Sequence, residues 1–259
     1  MNRIDTLFQT KKNNLLSIYF TAGYPELEST VPVLEALQNS GVAMVEIGMP
    51  FSDPLADGPV IQESSSVALK NGMSIKKLFS QLENIRETVH IPLVLMGYLN
   101  PVTQYGVENF CRACRQAGID GVILPDLPVE EYQLHYQKYF EAHDLRFIFL
   151  ITPQTTEARI REIDAIGKGF IYMVSSASTT GAKSTIAEKQ MAYFERVRAM
   201  QLQNPLMIGF GISNQDTFRQ ACQYANGAII GSAFVRALSA EGEIGLKVSG
   251  FVNPVISNR

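Results

Sequence analysis

Two acidic residues stand at positions where a carboxyl group could do proton chemistry. Glu46 lies inside an apolar run, between Val45 and Ile47, and Asp57 lies in the loop that follows, just before Gly58. Burial of a lone carboxylate is unfavourable, and desolvation raises its pKa towards neutrality, which suits an acid or base in catalysis. A structural hydrogen-bond network accounts for Glu46 equally well. Turn formation is the commoner reason for an aspartate before a glycine.

Small residues follow two later apolar runs in a pattern typical of phosphate binding. One run continues into Gly209-Phe210-Gly211-Ile212-Ser213 and the next into Gly231-Ser232-Ala233. Small side chains let backbone N–H groups approach an anion, and a helix N-terminus adds a favourable dipole. Barrel enzymes often hold phosphate after their seventh and eighth strands. Tight turns that pack helices on strands are the alternative interpretation.

The other reactive residue types form no catalytic motif in the sequence. Cys111 and Cys114 have C-x-x-C spacing, but no second Cys or His pair stands near enough in sequence to complete a zinc site. We therefore expect them on a helix face that packs partly in the core. The histidines at 90, 135 and 143 stand outside any catalytic pattern, so acid–base chemistry must come from carboxyl groups.

Charge and composition exclude several classes of function. The chain has 22 Lys and Arg against 25 Asp and Glu, and this balance leaves no basic face for nucleic acid. No apolar run approaches the roughly 20 residues that cross a bilayer, and the N-terminus has no apolar signal segment. We expect a cytoplasmic protein without nucleic-acid or membrane partners. A small phosphate needs only local donors and remains compatible.

Eight apolar runs alternate with stretches of helical periodicity. Near-continuous apolar runs are typical of a parallel sheet covered by helices. The predicted strands are Leu16–Thr21, Ala43–Ile47, Leu93–Tyr98, Gly121–Leu124, Phe147–Ile151, Phe170–Val174, Leu206–Phe210 and Gly227–Ile230. Eight units in 259 residues predict an α/β fold, a single (β/α)8 TIM barrel over residues 1–259 with an extra N-terminal helix. An open doubly wound sheet is the alternative, because closure is not written in the sequence.

Apolar stripes predict the helices, and two loops between strands and helices are unusually long. One stripe consists of Leu78, Leu82, Ile85 and Val89. The long loops are Gly48–Pro59 and Ser175–Thr185, and long loops in a compact fold are commonly functional. The second loop is small and polar, which favours a lid over the substrate, with a plain flexible connection as the alternative.

The chain resembles the tryptophan synthase α family in motifs that run in the same order from the first predicted strand to the eighth. The longest is Glu46-Ile47-Gly48-Met49-Pro50-Phe51-Ser52-Asp53-Pro54-Leu55-Ala56-Asp57-Gly58-Pro59-Val60-Ile61-Gln62. The others are Tyr98-Leu99-Asn100-Pro101, Pro125-Asp126-Leu127-Pro128, Tyr172-Met173-Val174-Ser175, Thr180-Gly181 and the two glycine motifs described above. The first motif is long and specific, and together the motifs cover nearly the whole chain.

The resemblance implies a lyase that splits indole-3-glycerol phosphate into indole and D-glyceraldehyde 3-phosphate. Glu46 and Asp57 match the family's catalytic carboxylates, and Tyr172 matches a tyrosine beside that glutamate. The implied phosphate site consists of Gly181, Gly211, Gly231 and Ser232. The implied indole pocket consists of Phe20 or its neighbour Tyr24, Tyr98, Ile123, Ile151 and Phe210, with Thr180 on the lid meeting Asp57 on closure.

The resemblance also implies a partner subunit. The family works as an αββα complex (α2β2) in which the β subunit carries pyridoxal phosphate and receives indole through a tunnel. On this chain we expect no organic cofactor and no metal, and we expect the isolated chain to be monomeric. One stretch departs from the family. Ser176-Ala177-Ser178-Thr179 replaces the Arg-Ala-Gly-Val of many members, so the dynamics of the lid and its signalling are not carried over.

Cleavage of this substrate is a retro-aldol reaction, for which two carboxyl groups suffice. Protonation of indole C3 makes the ring a leaving group, and a carboxylate at N1–H stabilises the positive charge, the role we assign to Asp57. Glu46 is assigned to proton transfer, with donation to C3 and acceptance from the side-chain hydroxyl both open to it. Two other functions remain as alternatives, a sugar-phosphate isomerase or epimerase on the same kind of barrel and a non-catalytic activating subunit.

Overall fold

The computed structural model describes residues 1–174, 188–209 and 211–257. In these ranges the strands are β1 Leu15–Thr21, β2 Met44–Gly48, β3 Leu93–Met96, β4 Gly121–Ile123, β5 Arg146–Phe147, β6 Leu150–Ile151, β7 Ile171–Val174, β8 Leu206–Gly209 and β9 Gly227–Ile230. The helices are α1 Arg3–Thr10, α2 Thr30–Asn39, α3 Pro59–Lys70, α4 Ile75–Gln81, α5 Leu99–Tyr105, α6 Val107–Gln116, α7 Val129–Glu131, α8 Gln137–Ala142, α9 Glu157–Ile166, α10 Glu188–Ala199, α11 Gln215–Ala221, α12 Ser232–Leu238 and α13 Ile244–Ile256. Short 3-10 turns span Leu27–Ser29 and Ile85–Glu87, and a π-helical turn spans Tyr132–Tyr136.

The sheet closes through the segment of the fifth predicted strand, which the structure divides into two short strands, β5 and β6. All neighbouring strands are parallel, in the order β5-β4-β3-β2-β1-β9-β8-β7-β6, so β5 and β6 stand at the two ends. Only Ile148 and Phe149 separate them in the chain. The N–H of Ile148 donates to Val122 O, and Phe149 O accepts from the N–H of Tyr172, both at 2.9 Å. One segment therefore pairs with β4 at its start and with β7 at its end. Counted as one strand, this segment makes the sheet a closed eight-stranded TIM barrel and not an open sheet.

Alternating side chains along the strands divide the core into two parts. Outward residues such as Leu16 and Ile18 of β1 pack with helix residues such as Leu34 and Leu37 in the outer core. Inward residues form the inner core, which consists of Leu15, Tyr19, Met44, Val94, Met96, Ile123, Ile148, Phe170, Tyr172, Val174, Met207 and Ile229, joined by Ile4, Ile61 and Val235 from helices. Because both faces of every strand are covered, the strands are mostly apolar, and their polar residues are Ser17, Thr21, Glu46 and Arg146.

Helix α1 closes the end of the barrel from which the strands start. Ile4 is fully buried in the inner core, and Leu7 and Phe8 pack against it. The predicted N-terminal extra helix is thus present, and it caps the interior. None of the described helices combines the length and apolarity that a membrane span requires.

Some element ends differ from the sequence-based expectation. The third strand ends at Met96, not Tyr98, and the stripe from Leu78 to Val89 is not one helix. Helix α4 ends at Gln81, and a separate 3-10 turn follows. All four residues of the stripe are buried, so the apolar spacing predicted their burial correctly, but the prediction of one continuous helix was wrong. Cys111 and Cys114 lie on α6 and are fully buried in the outer core, deeper than the partial packing we expected.

An ion network fixes α1 to the start of the strands. Asp120, just before β4, is buried, and its Oδ1 accepts from Arg3 Nη1 at 3.1 Å. Its Oδ2 accepts from Arg86 Nη2 at 2.7 Å and from the N–H of Leu93 at 3.0 Å. One carboxylate therefore joins α1, the 3-10 turn and β3.

Replacement of Asp120 by alanine should destabilise the fold strongly. Removal of one partner of a buried pair leaves the other charge uncompensated, so we expect a loss of about 3 kcal/mol in the free energy of unfolding, measured by urea denaturation. The matched control is Glu28→Ala, which breaks the exposed Glu28–Lys77 pair and should cost less than about 1 kcal/mol. Equal losses in the two variants would contradict this role of Asp120.

Candidate active site

The carboxyl ends of the strands form one edge of the barrel, and a cleft opens there. It is lined by Tyr19, Met49, Phe51, Pro54, Asp57, Ser65, Met96, Gly97, Tyr98 and Pro125. Loop 49–58 follows β2, Tyr98 follows β3 and Pro125 follows β4. Parallel strands bring these segments together although they are distant in sequence, and this edge is where TIM-barrel enzymes place their active sites.

Glu46 lies deep beneath the cleft, inside the barrel. Strand β2 turns its side chain inward, where it is fully buried. Its Oε1 accepts from Ser17 Oγ at 3.1 Å, and Oε2 is buried without a hydrogen-bond partner in the described part of the chain. Burial raises the pKa of Glu46 to about 8, although the hydrogen bond from Ser17 opposes this. The carboxyl group is therefore mostly protonated at neutral pH.

Asp57 reaches the cleft from the loop and is held there by Tyr98. The phenol of Tyr98 donates to Asp57 Oδ2 at 3.0 Å and accepts from the N–H of Ala56 at 2.9 Å. The N–H of Asp57 also closes a turn on Pro54 O at 3.0 Å, so the residue forms a turn and still directs its carboxyl group into the cleft. Burial raises the pKa of Asp57 to about 6, and the bond from Tyr98 opposes the rise. The side chain is thus mostly ionised at pH 7.

Two tyrosines connect the acidic groups electrostatically. Burial, and then the charges of Glu46 and Asp57, hold the pKa of Tyr172 well above its usual range. Burial, and then the charge of Asp57 before that of Glu46, do the same for Tyr19. Because such effects weaken with distance, both carboxyl groups lie near the same two phenols. Glu46, Asp57 and Tyr172 therefore lie in the same region of the barrel, and their catalytic roles stay predictions.

Two glycines at strand ends make room for these phenols. A Cβ on Gly48 would lie 2.2 Å from the hydroxyl oxygen of Tyr19, and one on Gly209 would lie 2.0 Å from that of Tyr172. No side chain larger than hydrogen fits at such distances. Sequence reasoning missed Tyr19, but the alternation of Ser17, Tyr19 and Thr21 along β1 is a signal that could have found it.

The residues expected at the indole pocket fall into three groups. Tyr98 lines the cleft and Ile123 lies in the inner core, whereas Tyr24 packs against both parts of the core. Phe20 and Ile151 are fully buried in the outer core, and neither is among the residues that line the cleft. A shift of one residue along a strand moves a side chain to the other face. The inward neighbours at these positions are Tyr19 and Leu150.

Part of the expected phosphate site lies at the same edge of the barrel. Strands β8 and β9 pair in the register Met207 to Gly227 and Ile208 to Ala228, so the segments after them leave side by side. Gly211, Gly231 and Ser232 stand in these segments, with Gly231 as the N-cap of α12 and Ser232 as its first residue. Thr180, Gly181, Phe210 and the expected lid Ser175–Thr185 lie outside the described residues. No group of three or more metal-ligating side chains occurs within the described ranges.

Comparison with known proteins gives a consistent result. A model of the tryptophan synthase alpha chain family matches residues 5–249. The tryptophan synthase alpha chain of Parabacteroides distasonis is 58% identical over 241 residues, covering 93% of this chain and 94% of the relative. That of Flavobacterium psychrophilum is 57% identical over 255 residues, covering 98% of this chain and 100% of the relative.

Solved structures agree with the sequence relatives. The crystal structure of tryptophan synthase subunit alpha from Legionella pneumophila superposes with a TM-score of 0.88 at 33% identity, covering 98% of this chain and 97% of that one. Tryptophan synthase from M. tuberculosis, in an aminoacrylate-bound form, superposes with a TM-score of 0.85 at 31% identity, covering 98% of both chains.

Replacement of Tyr98 by phenylalanine should raise the pKa of Asp57 above its value of about 6. The phenol supplies the hydrogen bond that favours the ionised carboxylate, and its loss leaves burial unopposed. Carboxyl ¹³C NMR titration of Asp57 measures the change. Tyr105→Phe, at the far end of α5, serves as the control and should leave the titration unchanged. An unmoved titration in Tyr98→Phe would show that Tyr98 does not hold Asp57.

Proposed function

The chain belongs to the tryptophan synthase alpha chain family, and we propose that Glu46 and Asp57 carry out the chemistry of its reaction. That reaction is the alpha reaction of tryptophan biosynthesis, in which a lyase cleaves indole-3-glycerol phosphate to indole and D-glyceraldehyde 3-phosphate. The observation that supports the assignment is that two carboxyl groups, the fully buried Glu46 and the half-buried Asp57, act on the same two phenols at the edge where the cleft opens.

Asp57 provides electrostatic support for the indole ring. Once C3 is protonated, positive charge develops at the ring nitrogen N1. A carboxylate that is ionised at neutral pH and lines the cleft can accept a hydrogen bond from N1–H and stabilise this charge as it forms. Tyr98 keeps the carboxylate directed at the ring through the bond to Oδ2.

Glu46 moves the proton. Its protonated carboxyl group donates to C3, which forms the C3–H bond and leaves a carboxylate. The bond between C3 and the side chain then breaks, and its electron pair restores the aromatic ring of indole. The side-chain hydroxyl loses its proton to the Glu46 carboxylate as the aldehyde C=O forms. The carboxyl group ends protonated as it began, so a single group with a pKa of about 8 serves both transfers.

The remaining site residues bind and orient the substrate. We assign Gly211, Gly231 and Ser232, with Gly181, to the phosphate, because backbone N–H groups at small residues and a helix start can approach an anion. Binding of this remote end fixes the reacting geometry at the ring. Tyr172, Tyr98, Ile123, Tyr24, Thr180 and Phe210 are assigned to the ring pocket and its lid. Tyr19 and Leu150 replace Phe20 and Ile151, because they face the interior.

The chain works with a β subunit, as its family implies. We infer an α2β2 complex in which pyridoxal phosphate belongs to the β subunit, while the alpha reaction uses the carboxyl groups of this chain. We infer a cytoplasmic location, because the charged phosphate ester stays in the compartment where it is made. We also infer one domain over residues 1–259, since a single sheet runs from Leu15 to Ile230 and α13 packs on α2.

Family membership displaces the isomerase or epimerase alternative, but a non-catalytic subunit is still to be tested against an active lyase. A fully buried carboxyl group such as that of Glu46 is costly to keep, and docking on a partner does not require it. Indole release by the chain alone, and with a β subunit added, separates the two functions. Activation of the β subunit without any cleavage would support the non-catalytic one.

Replacement of Glu46 by glutamine should abolish most turnover while the fold and phosphate binding persist. The amide keeps the shape of the side chain but cannot shuttle the proton, so kcat for indole release should fall by at least about 10². Asp57→Asn should be milder, because it removes electrostatic support and not the proton carrier. Near wild-type turnover of Glu46→Gln in an indole-release assay would remove Glu46 from the mechanism.

The pH dependence of kcat/KM should be bell-shaped. Asp57 must be ionised, so the rate falls as pH drops below about 6, and Glu46 must be protonated, so the rate falls as pH rises above about 8. Burial raises both pKa values above their ordinary range, which places the maximum near neutrality. A profile that rises steadily from pH 6 to pH 10 would contradict protonated Glu46 as the starting form.

A further inference from the structure

Ser17 has a polar side chain inside the apolar barrel, and its hydrogen bond goes to Glu46. It lies on β1, fully buried, in a strand that otherwise supplies Leu15 and Tyr19 to the inner core. Its Oγ lies 3.1 Å from Glu46 Oε1. The Ser17 hydroxyl donates to Glu46, so Ser17 acts on the site through this carboxyl group.

The two carboxyl oxygens of Glu46 are therefore not equivalent. Oε1 accepts from Ser17, whereas Oε2 is buried and has no partner among the described residues. A protonated carboxyl group has one acceptor oxygen and one O–H donor. Because Ser17 donates to Oε1, this oxygen takes the carbonyl role and the proton stands on Oε2.

We propose that Ser17 is a positioning residue for the alpha reaction, which holds Oε1 of Glu46 and so makes Oε2 the oxygen that gives and takes the proton. This inference rests on the proposed role of Glu46. After Oε2 gives its proton to C3, the bond from Ser17 stabilises the carboxylate until Oε2 takes the proton of the side-chain hydroxyl. No further proton donor or acceptor is needed.

Among the described groups around Glu46, Ser17 is the one that fixes which carboxyl oxygen carries the proton. Among the described residues, Tyr19 on β1 and Tyr172 on β7 are the titratable side chains on which the charge of Glu46 acts. Both phenols stay protonated over the working range because their pKa values are raised. On β3 the residue opposite Glu46 is the apolar Val94. Asp57 reaches the same phenols from the loop. Burial and the Ser17 bond are the two causes that set the pKa of Glu46 among the described residues.

The test compares Ser17→Ala with Ser17→Thr, which restores a hydroxyl. In Ser17→Ala the alkaline limb of kcat/KM should move up by about one pH unit, because a donor to the carboxylate is lost. kcat should fall about tenfold, because the carboxyl group is less well oriented, and KM should stay constant. Ser17→Thr should restore both. Ser64→Ala removes another buried hydroxyl, which contacts Thr21 at 2.6 Å, and should leave the limb in place.

Titration of the Glu46 carboxyl by ¹³C NMR, assigned with Glu46→Gln, gives a readout that does not depend on activity. The pKa of Glu46 should be about 8 in the wild type and higher in Ser17→Ala. An unmoved limb and titration in Ser17→Ala, with Glu46→Gln inactive, would overturn the role of Ser17 alone. An active Glu46→Gln would instead overturn the proposed function on which it rests.

Discussion

The free-energy cost of ionising a carboxyl group inside an apolar barrel determines how the rest of this site is built. Glu46 is fully buried, and no cation of the described ranges is among the groups that shift its pKa. A pKa raised from 4.5 to about 8 corresponds to about 5 kcal/mol against the ionised form, a large part of the stability of an ordinary domain. The fold meets this cost by keeping the group protonated with one hydroxyl beside it. What is unfavourable for stability is therefore what makes a proton available at neutral pH.

The two ends of the barrel treat their acidic groups in opposite ways. At the start of the strands, Asp120 accepts from two arginines and a backbone N–H, so its charge is fully compensated and serves to join elements. At the other end, the donors to the Glu46 and Asp57 side chains from the described residues are hydroxyl groups, those of Ser17 and Tyr98. A guanidinium would hold a carboxylate ionised, whereas a hydroxyl leaves its protonation adjustable. The difference between arginine and hydroxyl partners thus separates the stabilising end from the reactive end.

The sequence predicted the barrel well because hydrophobic burial is additive along a strand. Eight apolar runs, the extra helix and the long loop after β2 were all recognisable, and Glu46 stood out since a carboxyl group is rare in such a run. The facing of single side chains was harder to predict. A short strand that is apolar on both faces gives no signal of facing, so nothing in Leu150-Ile151 says which residue points inward. In β1 the alternation of Ser17, Tyr19 and Thr21 was a signal, and the expectation of Phe20 overlooked it. The division of the fifth run into β5 and β6 depends on closure of the barrel, and the Tyr98–Asp57 bond depends on the course of the loop after β2, so neither could be predicted.

The placement of the two acids on different kinds of element gives them different freedom. Glu46 stands on a strand that is paired on both sides, and its Oε1 accepts a hydrogen bond from Ser17 on the neighbouring strand β1. The barrel therefore fixes its position. Asp57 stands on a loop in which Leu55, two residues before it, is 90% exposed. A contact on the outer side of that loop can therefore displace Asp57, whereas the hydrogen bonds of Tyr98 with Asp57 and Ala56 hold it in place. In the proposed mechanism, proton transfer by Glu46 is therefore the fixed half of the chemistry, and stabilisation of the ring charge by Asp57 is the half that contacts outside the barrel can adjust.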